Sequence, residues 1–319
     1  MNILITGGAG YIGSHCVKYL QKDHNIIIYD SLSNGHKEAV TCSLIQGNLE
    51  DKEKLNKVFK NNKIDIVIHF AGFIEVSEST KDPSKYYNNN VLGTLSLLDT
   101  MIKNNVKNII FSSTAAVFGE PQETPIKETH PKKPINPYGQ TKCIIEKILE
   151  DYDKAYSLKY IILRYFNAAG ANEEIGESHN PETHLIPLIL QAALGKKDSI
   201  KLFGTDYNTK DGTCIRDFIH IKDLINAHIL AMNYLIKEQK SNNFNLGSNQ
   251  GYSVKEIINL AKEITKTNFK VIEEPRRAGD PAILIADSTK AKTILGWQPT
   301  HTIQEIINSA WQWHQNQRY

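Results

Sequence analysis

The stretch NILITGGAGYIG, residues 2–13, places a short apolar run directly before three glycines, Gly7, Gly10 and Gly13. The apolar run predicts a buried strand, and the residues after the turn predict a helix. Glycines between a strand and a helix let the backbone bend tightly and approach a phosphate at the helix N-terminus. The stretch therefore predicts a dinucleotide-binding turn, although its GxxGxxG spacing differs by one position from the common fingerprint.

Further short apolar runs alternate with longer amphipathic segments through the first half of the chain. Residues 26–29, 64–70, 106–113 and 159–166 predict strands, and residues 88–105 predict a helix with apolar residues at helical spacing. Strands that alternate with helices are typical of parallel sheets, because each crossover needs a connecting element. The predicted fold class is α/β, a doubly wound parallel sheet of the Rossmann type with a second, smaller α/β lobe for substrate.

The predicted domain boundaries follow from a change of pattern near residue 166. Later residues form shorter elements between loops rich in Asn, Gly and Pro, which indicates a smaller lobe. Residues 215–238 again carry a helical apolar stripe, so we expect them to return to the first domain. The prediction is a dinucleotide-binding domain of residues 1–166 plus about 215–240, and a substrate lobe of residues 167–214 plus 241–319.

Composition excludes several classes of partner. The 319 residues carry a formal net charge of +2, which provides no field for holding nucleic acid or a membrane surface. The four cysteines form no CxxC pair, so reduced thiols are expected and no metal site is predicted. The chain opens without a basic and apolar leader, and no apolar run approaches about 18 residues. We expect a cytoplasmic protein with a small-molecule substrate.

The second predicted strand ends in Asp30, close to where an acidic side chain accepts hydrogen bonds from an adenosine ribose. A carboxylate at this position repels a 2′-phosphate. The next residues, SLSNGHK, place no arginine beside it to offset that repulsion. The cofactor predicted is NAD rather than NADP.

Tyr138 and Lys142 lie one turn apart on a predicted helix that opens with NPYGQTK, residues 136–142, where Asn136 and Pro137 suit the cap and the first turn. A nearby ammonium, a helix N-terminus and an oxidised nicotinamide would each favour the phenolate. Lowering a phenol pKa from roughly 10 to near 7 needs about 4 kcal/mol. We therefore expect Tyr138 to act as a base near neutral pH.

The glycine turn, Asp30 and the Tyr138 and Lys142 pair follow one another in the order that is typical of one enzyme family. Other segments of the chain also match that family. The chain resembles the extended branch of the short-chain dehydrogenase/reductase family, and within it the UDP-glucose 4-epimerases, essentially from end to end. The segments that carry the resemblance, besides TGGAGYIG and YxxxK, are HFAG (69–72), NNVLGTL (89–95), SSTAAVFGE (112–120), LRYFNAAGA (163–171), HLIPLIL (184–190), LFGTDYNTKDGTCIRDFIH (202–220) and PRRAGDPA (275–282).

The resemblance implies the residues of the site. The catalytic residues implied are Tyr138, Lys142 and Thr114. The NAD site implied consists of Gly7, Gly10, Tyr11, Ile12, Gly13, Asp30, Ser31, Leu32, Ser33, Asn34, Gly35, Asn48, Leu49, Phe70, Ala71, Asn90, Ser112, Tyr138, Lys142 and Phe166. The sugar-nucleotide site implied consists of Thr114, Asn167, His184, Leu185, Phe203, Arg216, Arg277, Asp280 and Leu284.

The resemblance also implies a reaction. Tyr138 takes the proton of the sugar 4-hydroxyl while NAD oxidises C4, and reduction of the 4-keto sugar from its other face interconverts UDP-glucose and UDP-galactose. NAD stays bound, because no net redox occurs. Relatives pair through the helices near residues 88–105 and 138–155, so a homodimer is expected.

Three positions depart from the family pattern. Asn48 stands where an aspartate usually meets the adenine, and its amide oxygen can still accept a hydrogen bond. Ile74 replaces a lysine present in some relatives, which leaves Lys142 as the main nearby cation. Leu284 aligns with a position where a tyrosine restricts some relatives to plain hexoses, so epimerisation of UDP-N-acetylglucosamine is an alternative function.

Specific residues disfavour three other functions, those of a dehydratase, a reductase and a sensor. A sugar-nucleotide 4,6-dehydratase would need an acid and a base directly after the active-site threonine, where this chain has Ala115 and Ala116. A net reductase often uses NADPH, which Asp30 disfavours. A sensor that binds NAD without chemistry has no need for Tyr138 and Lys142 at this spacing.

Overall fold

The structure is a computed structural model that describes residues 1–277 and 279–319. The chain divides into two compact units. The first unit comprises residues 1–119, 131–164 and 225–244, and the second comprises residues 120–130, 165–224 and 245–319. Each unit has its own hydrophobic core.

A seven-stranded sheet is the framework of the first unit, and it confirms the predicted doubly wound α/β fold. Strand order across the sheet is β11-β6-β5-β4-β1-β2-β3, and β1 pairs in parallel with both β2 and β4. The strands are β1 (Asn2–Thr6), β2 (Asn25–Asp30), β3 (Ser43–Gln46), β4 (Ile66–His69), β5 (Asn108–Thr114), β6 (Lys159–Tyr165) and, much later in the chain, β11 (Asn242–Leu246). The order reverses beside β1, which is where sheets of this type bind ligands.

Helices connect these strands. They are α1 (Tyr11–Leu20), α2 (Lys52–Asn61), α3 (Val76–Lys81), α4 (Pro83–Tyr86), a π-helical turn (Tyr87–Leu92), α5 (Gly93–Lys103), α6 (Pro137–Tyr156) and α8 (Ile221–Glu238). The single helix predicted over residues 88–105 is thus a π-helical turn that continues into α5. Leu97, Leu98 and Met101 of α5 are fully buried in the core of the unit. None of the described helices is both long enough and apolar enough to span a bilayer.

A buried ion pair joins α6 to the sheet. Both carboxylate oxygens of Glu146 accept hydrogen bonds from Arg164 of β6, at 2.9 Å from Nε and 2.8 Å from an Nη atom. Ser113 of β5 donates to the same carboxylate at 2.7 Å. The Glu146 and Arg164 side chains are 0% and 3% exposed. Since a bidentate pair is directional as well as strong, these bonds set the position of α6 along two strands.

The second unit consists of short strands and amphipathic helices. Its strands form a pair of β7 and β10, a pair of β8 and β13, and a three-stranded sheet in the order β12-β9-β14. In chain order the elements are β7 (Asn167–Ala169), α7 (Leu185–Ala193), β8 (Ser199–Phe203), β9 (Ile215–Arg216), β10 (Phe218–His220), β12 (Tyr252–Ser253), α9 (Val254–Thr265), β13 (Lys270–Glu274), β14 (Ile283–Leu284), α10 (Thr289–Leu295) and α11 (Ile303–Gln315). Apolar faces of α7, α9 and α11 form its core.

The two compact units differ from the predicted domain boundaries at two places. Residues 215–220, expected to begin a helix of the first domain, form β9 and β10, and these strands pair with β12, β14 and β7 of the second unit. Residues 120–130 also belong to the second unit, where Ile126 bridges to Ala286. In both cases pairing between distant segments outweighs the local pattern. A stripe of apolar residues does not show which distant strands a segment will pair with.

We expect Glu146→Gln to lower the free energy of unfolding by about 3 kcal/mol or more, because Arg164 is then buried without an opposite charge. Chemical denaturation followed by circular dichroism measures this change. The matched control is Glu150→Gln on the same helix, whose partly exposed ion pair with Lys147 should contribute less than about 1 kcal/mol. Equal losses in the two variants would contradict this assignment.

Candidate active site

The glycine turn after β1 has no room for side chains at two of its positions. Gly7 has a φ of 71°, and a Cβ there would lie 2.5 Å from the backbone nitrogen of Ala71. A Cβ on Gly13 would lie 2.1 Å from the Gly7 carbonyl oxygen. Gly10 caps α1 without a side chain, and the first amides of a helix lack intrahelical partners. The turn therefore presents backbone donors and a positive helix end, as a diphosphate requires.

Asp30 ends β2 beside this turn, and its carboxylate is held in place by backbone amides. Oδ2 accepts from the Ala9 amide at 2.9 Å, and Oδ1 accepts from the Leu32 amide at 2.8 Å. Burial raises the pKa of Asp30, and these two hydrogen bonds oppose that rise. Since a carboxylate accepts about four hydrogen bonds, each oxygen retains capacity for a ribose hydroxyl.

The loop after Asp30 folds against the glycine turn. Leu32 has a φ of 60°, and the hydroxyls of Ser31 and Ser33 lie 2.8 Å apart. A Cβ on Gly35 would lie 3.0 Å from the carbonyl carbon and oxygen of Ala9. Ser31 through Gly35, all predicted cofactor residues, thus lie next to the turn, and Asn34 lies within this loop.

The other predicted cofactor residues of the first unit differ in what their side chains do. Asn48 is exposed and its amide oxygen accepts from the Glu50 amide at 3.1 Å, while Leu49 is buried. Backbone amides of Phe70 and Ala71 bind the Thr6 carbonyl next to the glycine turn. Asn90 is buried, and its side chain donates to the Phe73 carbonyl and accepts from the Phe73 amide. The side chain of Asn90 is therefore engaged by the protein itself.

Tyr138 and Lys142 lie where α6 begins, as predicted. The Asn136 side chain caps the helix by accepting from the Gly139 amide at 2.8 Å. Lys142 is 3% exposed, and its ammonium donates to the Ser112 carbonyl at 2.9 Å. The Thr114 hydroxyl hydrogen bonds to Tyr138. The end of β5 and the first turns of α6 thus bring the three predicted catalytic side chains together.

Burial opposes the acidity predicted for Tyr138, a prediction that included the positive charge of an oxidised nicotinamide. Burial raises the pKa of Tyr138 to about 12; the Thr114 hydrogen bond lowers it, and Glu75 raises it further. Burial also lowers the pKa of Lys142 to about 8, although Glu146 opposes that change. Desolvation penalises both charged forms, and at this site it outweighs the neighbouring charge and the helix end.

Predicted substrate residues of the second unit form two groups. In one, a guanidinium nitrogen of Arg216 lies 3.0 Å from an Asp280 oxygen, and Leu284 pairs with Arg216 across β9 and β14. In the other, the guanidinium carbon of Arg277 lies 3.9 Å from the centroid of the Phe203 ring.

Three further predicted residues of this unit have separate surroundings. Asn167 donates from its backbone and from its side-chain amide to the Asp217 carbonyl, at 3.0 and 2.9 Å. The Phe166 amide binds the Leu246 carbonyl. His184 caps α7, which begins at Leu185, and its imidazole faces two carboxylates rather than the residues named above.

Comparisons with known proteins agree on one family. A family model described as GDP-mannose 4,6 dehydratase matches residues 4–310. A curated UDP-glucose 4-epimerase of Halalkalibacterium halodurans is 50% identical, with 98% of this chain and 96% of the relative covered. A crystal structure of a UDP-glucose 4-epimerase is 49% identical with a TM-score of 0.96, with 99% of this chain and 98% of the other covered. The Brucella ovis UDP-glucose 4-epimerase, solved in complex with NAD, is 44% identical with a TM-score of 0.94, with 97% of each chain covered.

The chain belongs to the UDP-glucose 4-epimerases of the extended short-chain dehydrogenase/reductase family. NAD is the cofactor of this epimerase. Its residues fit that group: Gly7 and Gly13 permit the tight turn that leads into the N-terminus of α1, where a diphosphate binds, and Asp30 retains acceptor capacity for a ribose.

Sequence reasoning missed three features of the epimerase. Glu146 anchors α6, and its signal was the repeat Tyr138, Lys142, Glu146 at intervals of four residues on one helix face. The ring of His228 packs on Phe70 with centroids 5.0 Å apart, which no local pattern indicates. A cluster of two glutamates and two histidines precedes α7, and its pattern ExHxxExH was readable at residues 177–184.

Because the pKa of Tyr138 is about 12 in the ligand-free epimerase, the proton stays on this phenol through the neutral range. The NAD-free protein and its Tyr138→Phe variant should therefore give the same tyrosinate absorbance between about pH 7 and 10. A spectrophotometric titration of both proteins measures the difference. A tyrosinate step near neutral pH that the variant lacks would contradict the burial effect.

Proposed function

We propose that this protein interconverts UDP-glucose and UDP-galactose by inverting C4 of the hexose, with NAD kept bound through each turnover. The observation that carries the proposal is the arrangement of Tyr138, hydrogen bonded to Thr114, one helical turn before the buried Lys142. The family to which the chain belongs supports it.

Tyr138 is the proposed group for proton transfer. As the phenolate it takes the proton of the sugar 4-hydroxyl, and as the resulting phenol it returns that proton after the ring has changed face. Thr114, next to Tyr138 at the end of β5, would hydrogen bond the sugar O4. The Lys142 ammonium favours the phenolate, once it is held in its charged form. When bound, NAD supplies the oxidation of C4 and the reduction that reverses it.

We propose that residues of the second unit hold the UDP part of the substrate. Arg216 and Arg277 suit a diphosphate, because a guanidinium binds phosphate oxygens in a bidentate manner. The Arg277 side chain is exposed and so is accessible to an anion. Arg216 is paired with Asp280 at 3.0 Å, so a diphosphate would compete with that carboxylate. Phe203 offers an aromatic face for the uracil.

The alternatives are weaker. A dehydratase, the activity in the name of the matching family model, needs an acid and a base after Thr114, and methyl groups of Ala115 and Ala116 transfer no protons. The buried Asp30 disfavours a reductase that uses NADPH. A sensor without chemistry leaves the buried Lys142 unexplained. The comparisons do not favour the N-acetylated substrates that Leu284 raised as an alternative.

We also propose a cytoplasmic homodimer. Large apolar side chains are exposed on the π-helical turn and α6, at or next to the segments named for pairing, with Tyr87 at 37%, Leu92 at 51% and Tyr156 at 48%. Exposed apolar side chains grouped on helices are typical of interaction surfaces. Sedimentation velocity measures the mass in solution and decides between monomer and dimer.

Tyr138→Phe should lower turnover of UDP-galactose by at least about 100-fold, because a positioned proton donor and acceptor is lost. The assay follows formation of UDP-glucose by purified protein without added cofactor. The matched control is Tyr156→Phe at the exposed end of the same helix, which should keep full turnover. Bound NAD, measured after heat release, should be equal in both variants.

The same assay distinguishes the alternatives. A 4-keto-6-deoxy product would indicate a dehydratase, and NAD binding without any product would indicate a sensor. Full turnover by Tyr138→Phe would remove Tyr138 from the mechanism while leaving the epimerase activity intact.

Arg277→Ala should raise KM for UDP-galactose by roughly 10-fold or more while kcat changes less, because a phosphate contact made equally in the ground state and transition state is lost. The neighbouring residue supplies the control. Arg276 pairs with Asp206 and lies over the Tyr207 ring, so Arg276→Ala should leave KM unchanged. Steady-state kinetics measure KM and kcat of both variants. An equal rise in KM for Arg276→Ala and Arg277→Ala would contradict a specific role for Arg277.

A further inference from the structure

Four metal-ligating side chains converge in the loop before α7. They are Glu177, His179, Glu182 and His184, and one donor atom from each lies within 4.8 Å of the others. We call this group the Glu–His cluster. Neither the proton transfer assigned to Tyr138 nor the diphosphate contacts use its carboxylates.

The distances within the Glu–His cluster match those around a four-coordinate ion. Nδ1 of His184 lies 2.9 Å from Glu177 Oε1 and 3.2 Å from Glu182 Oε1. Nδ1 of His179 lies 3.4 Å from Glu177 Oε1 and 3.6 Å from Glu182 Oε2. Metal–ligand bonds of about 2.0–2.2 Å at tetrahedral angles separate ligand atoms by roughly 3.3–3.6 Å. The four donors lie at or slightly inside that spacing, so small side-chain shifts would place them at the corners of such a site.

Burial and hydrogen bonding also indicate a missing ligand. The side chains of Glu177 and Glu182 are only 6% and 3% exposed, so two carboxylates lie away from water. Nδ1 of His179 is buried and has no hydrogen-bond partner among the described residues. Its ion-pair contacts with Glu177 and Glu182 lack hydrogen-bond geometry, and a cation bound to its lone pair would satisfy this buried nitrogen better. One divalent ion would also balance the two carboxylate charges in place of protons on the imidazoles.

The backbone that carries the cluster is fixed from both sides. The indole of Trp313 donates to the Glu177 carbonyl at 3.2 Å, and a Cβ on Gly176 would lie 2.3 Å from that ring. The amides of Thr183 and His184 donate to Glu182 Oε1 at 2.8 and 2.9 Å. These contacts orient ligands before any ion binds, which is how surrounding groups support metal sites.

We propose that the Glu–His cluster binds one divalent transition-metal ion of the zinc class. Two imidazole nitrogens with two carboxylate oxygens form the mixed N and O set that zinc accepts in tetrahedral sites. Magnesium and calcium prefer six or more oxygen ligands, which this set does not supply. The ion would fasten residues 177–184 to the start of α7. The proposal does not rest on the epimerase activity.

The test uses the full chain without a histidine tag, stripped of metal by a chelator. At about pH 8 it should bind one Zn²⁺ per chain in calorimetry, and bound Zn²⁺ should raise the thermal midpoint by about 2 °C or more. Co²⁺ should give the intense visible absorption of a tetrahedral site, which Zn²⁺ then displaces. His179→Gln should weaken Zn²⁺ binding about tenfold or more and abolish the visible band.

His24→Gln is the matched control, since His24 lies in the turn after α1 in the first unit, and it should keep both the band and the affinity. The metal-free thermal midpoint of each variant shows whether it folds, and Glu182→Gln replaces His179→Gln if the latter does not. Absence of stoichiometric Zn²⁺ binding by the unaltered chain overturns the proposal, and so does an unchanged cobalt spectrum in His179→Gln. In either case the cluster is a set of ion pairs only.

Discussion

The bidentate pair between Glu146 and Arg164 is the interaction on which the geometry of the active site depends. Tyr138, Lys142 and Glu146 follow one another at intervals of one turn, so they share one face of α6. Because Glu146 is bound to β6 through Arg164 and to β5 through Ser113, that face is held against the sheet. The Lys142 ammonium then meets the Ser112 carbonyl, and Tyr138 meets Thr114 at the end of β5. The Glu146 and Arg164 pair, two turns along α6 from Tyr138, thus positions the proposed proton-transfer group.

Burial shapes the chemistry of that group. Desolvation raises the pKa of Tyr138 and lowers the pKa of Lys142, so burial disfavours the charged form of each. A cationic cofactor ring beside them changes that balance, because an adjacent positive charge favours a phenolate. We infer that proton transfer by Tyr138 is coupled to cofactor binding.

Backbone amides also hold polar side chains in position in the second unit. The Asp217 carboxylate, for example, accepts hydrogen bonds from the backbone amides of Ser248, Asn249 and Ala286. Burial still raises the pKa of that carboxyl to about 6. In the Glu–His cluster the amides after Glu182 play the same part for its carboxylate. Preorganised groups of this kind lose little freedom on binding, which favours affinity for small charged ligands.

Sequence reasoning was strongest where local chemistry decides structure. The glycine turn, Asp30 at the end of β2 and the capped start of α6 follow from steric limits and capping preferences that act over a few residues. Family resemblance added the identity of the enzyme and its cofactor, because its motifs extend over the whole chain.

The sequence by itself determined the doubly wound fold, the cofactor class and the Tyr138 and Lys142 pair, since each depends on residue type and local spacing. Only the tertiary structure decided that residues 215–220 are strands of the second unit, that Tyr138 is less acidic than a free phenol, and that two glutamates meet two histidines before α7. Strand pairing, desolvation and convergence of side chains all depend on segments far apart in the chain. Their energies are set by packing, which no local pattern encodes.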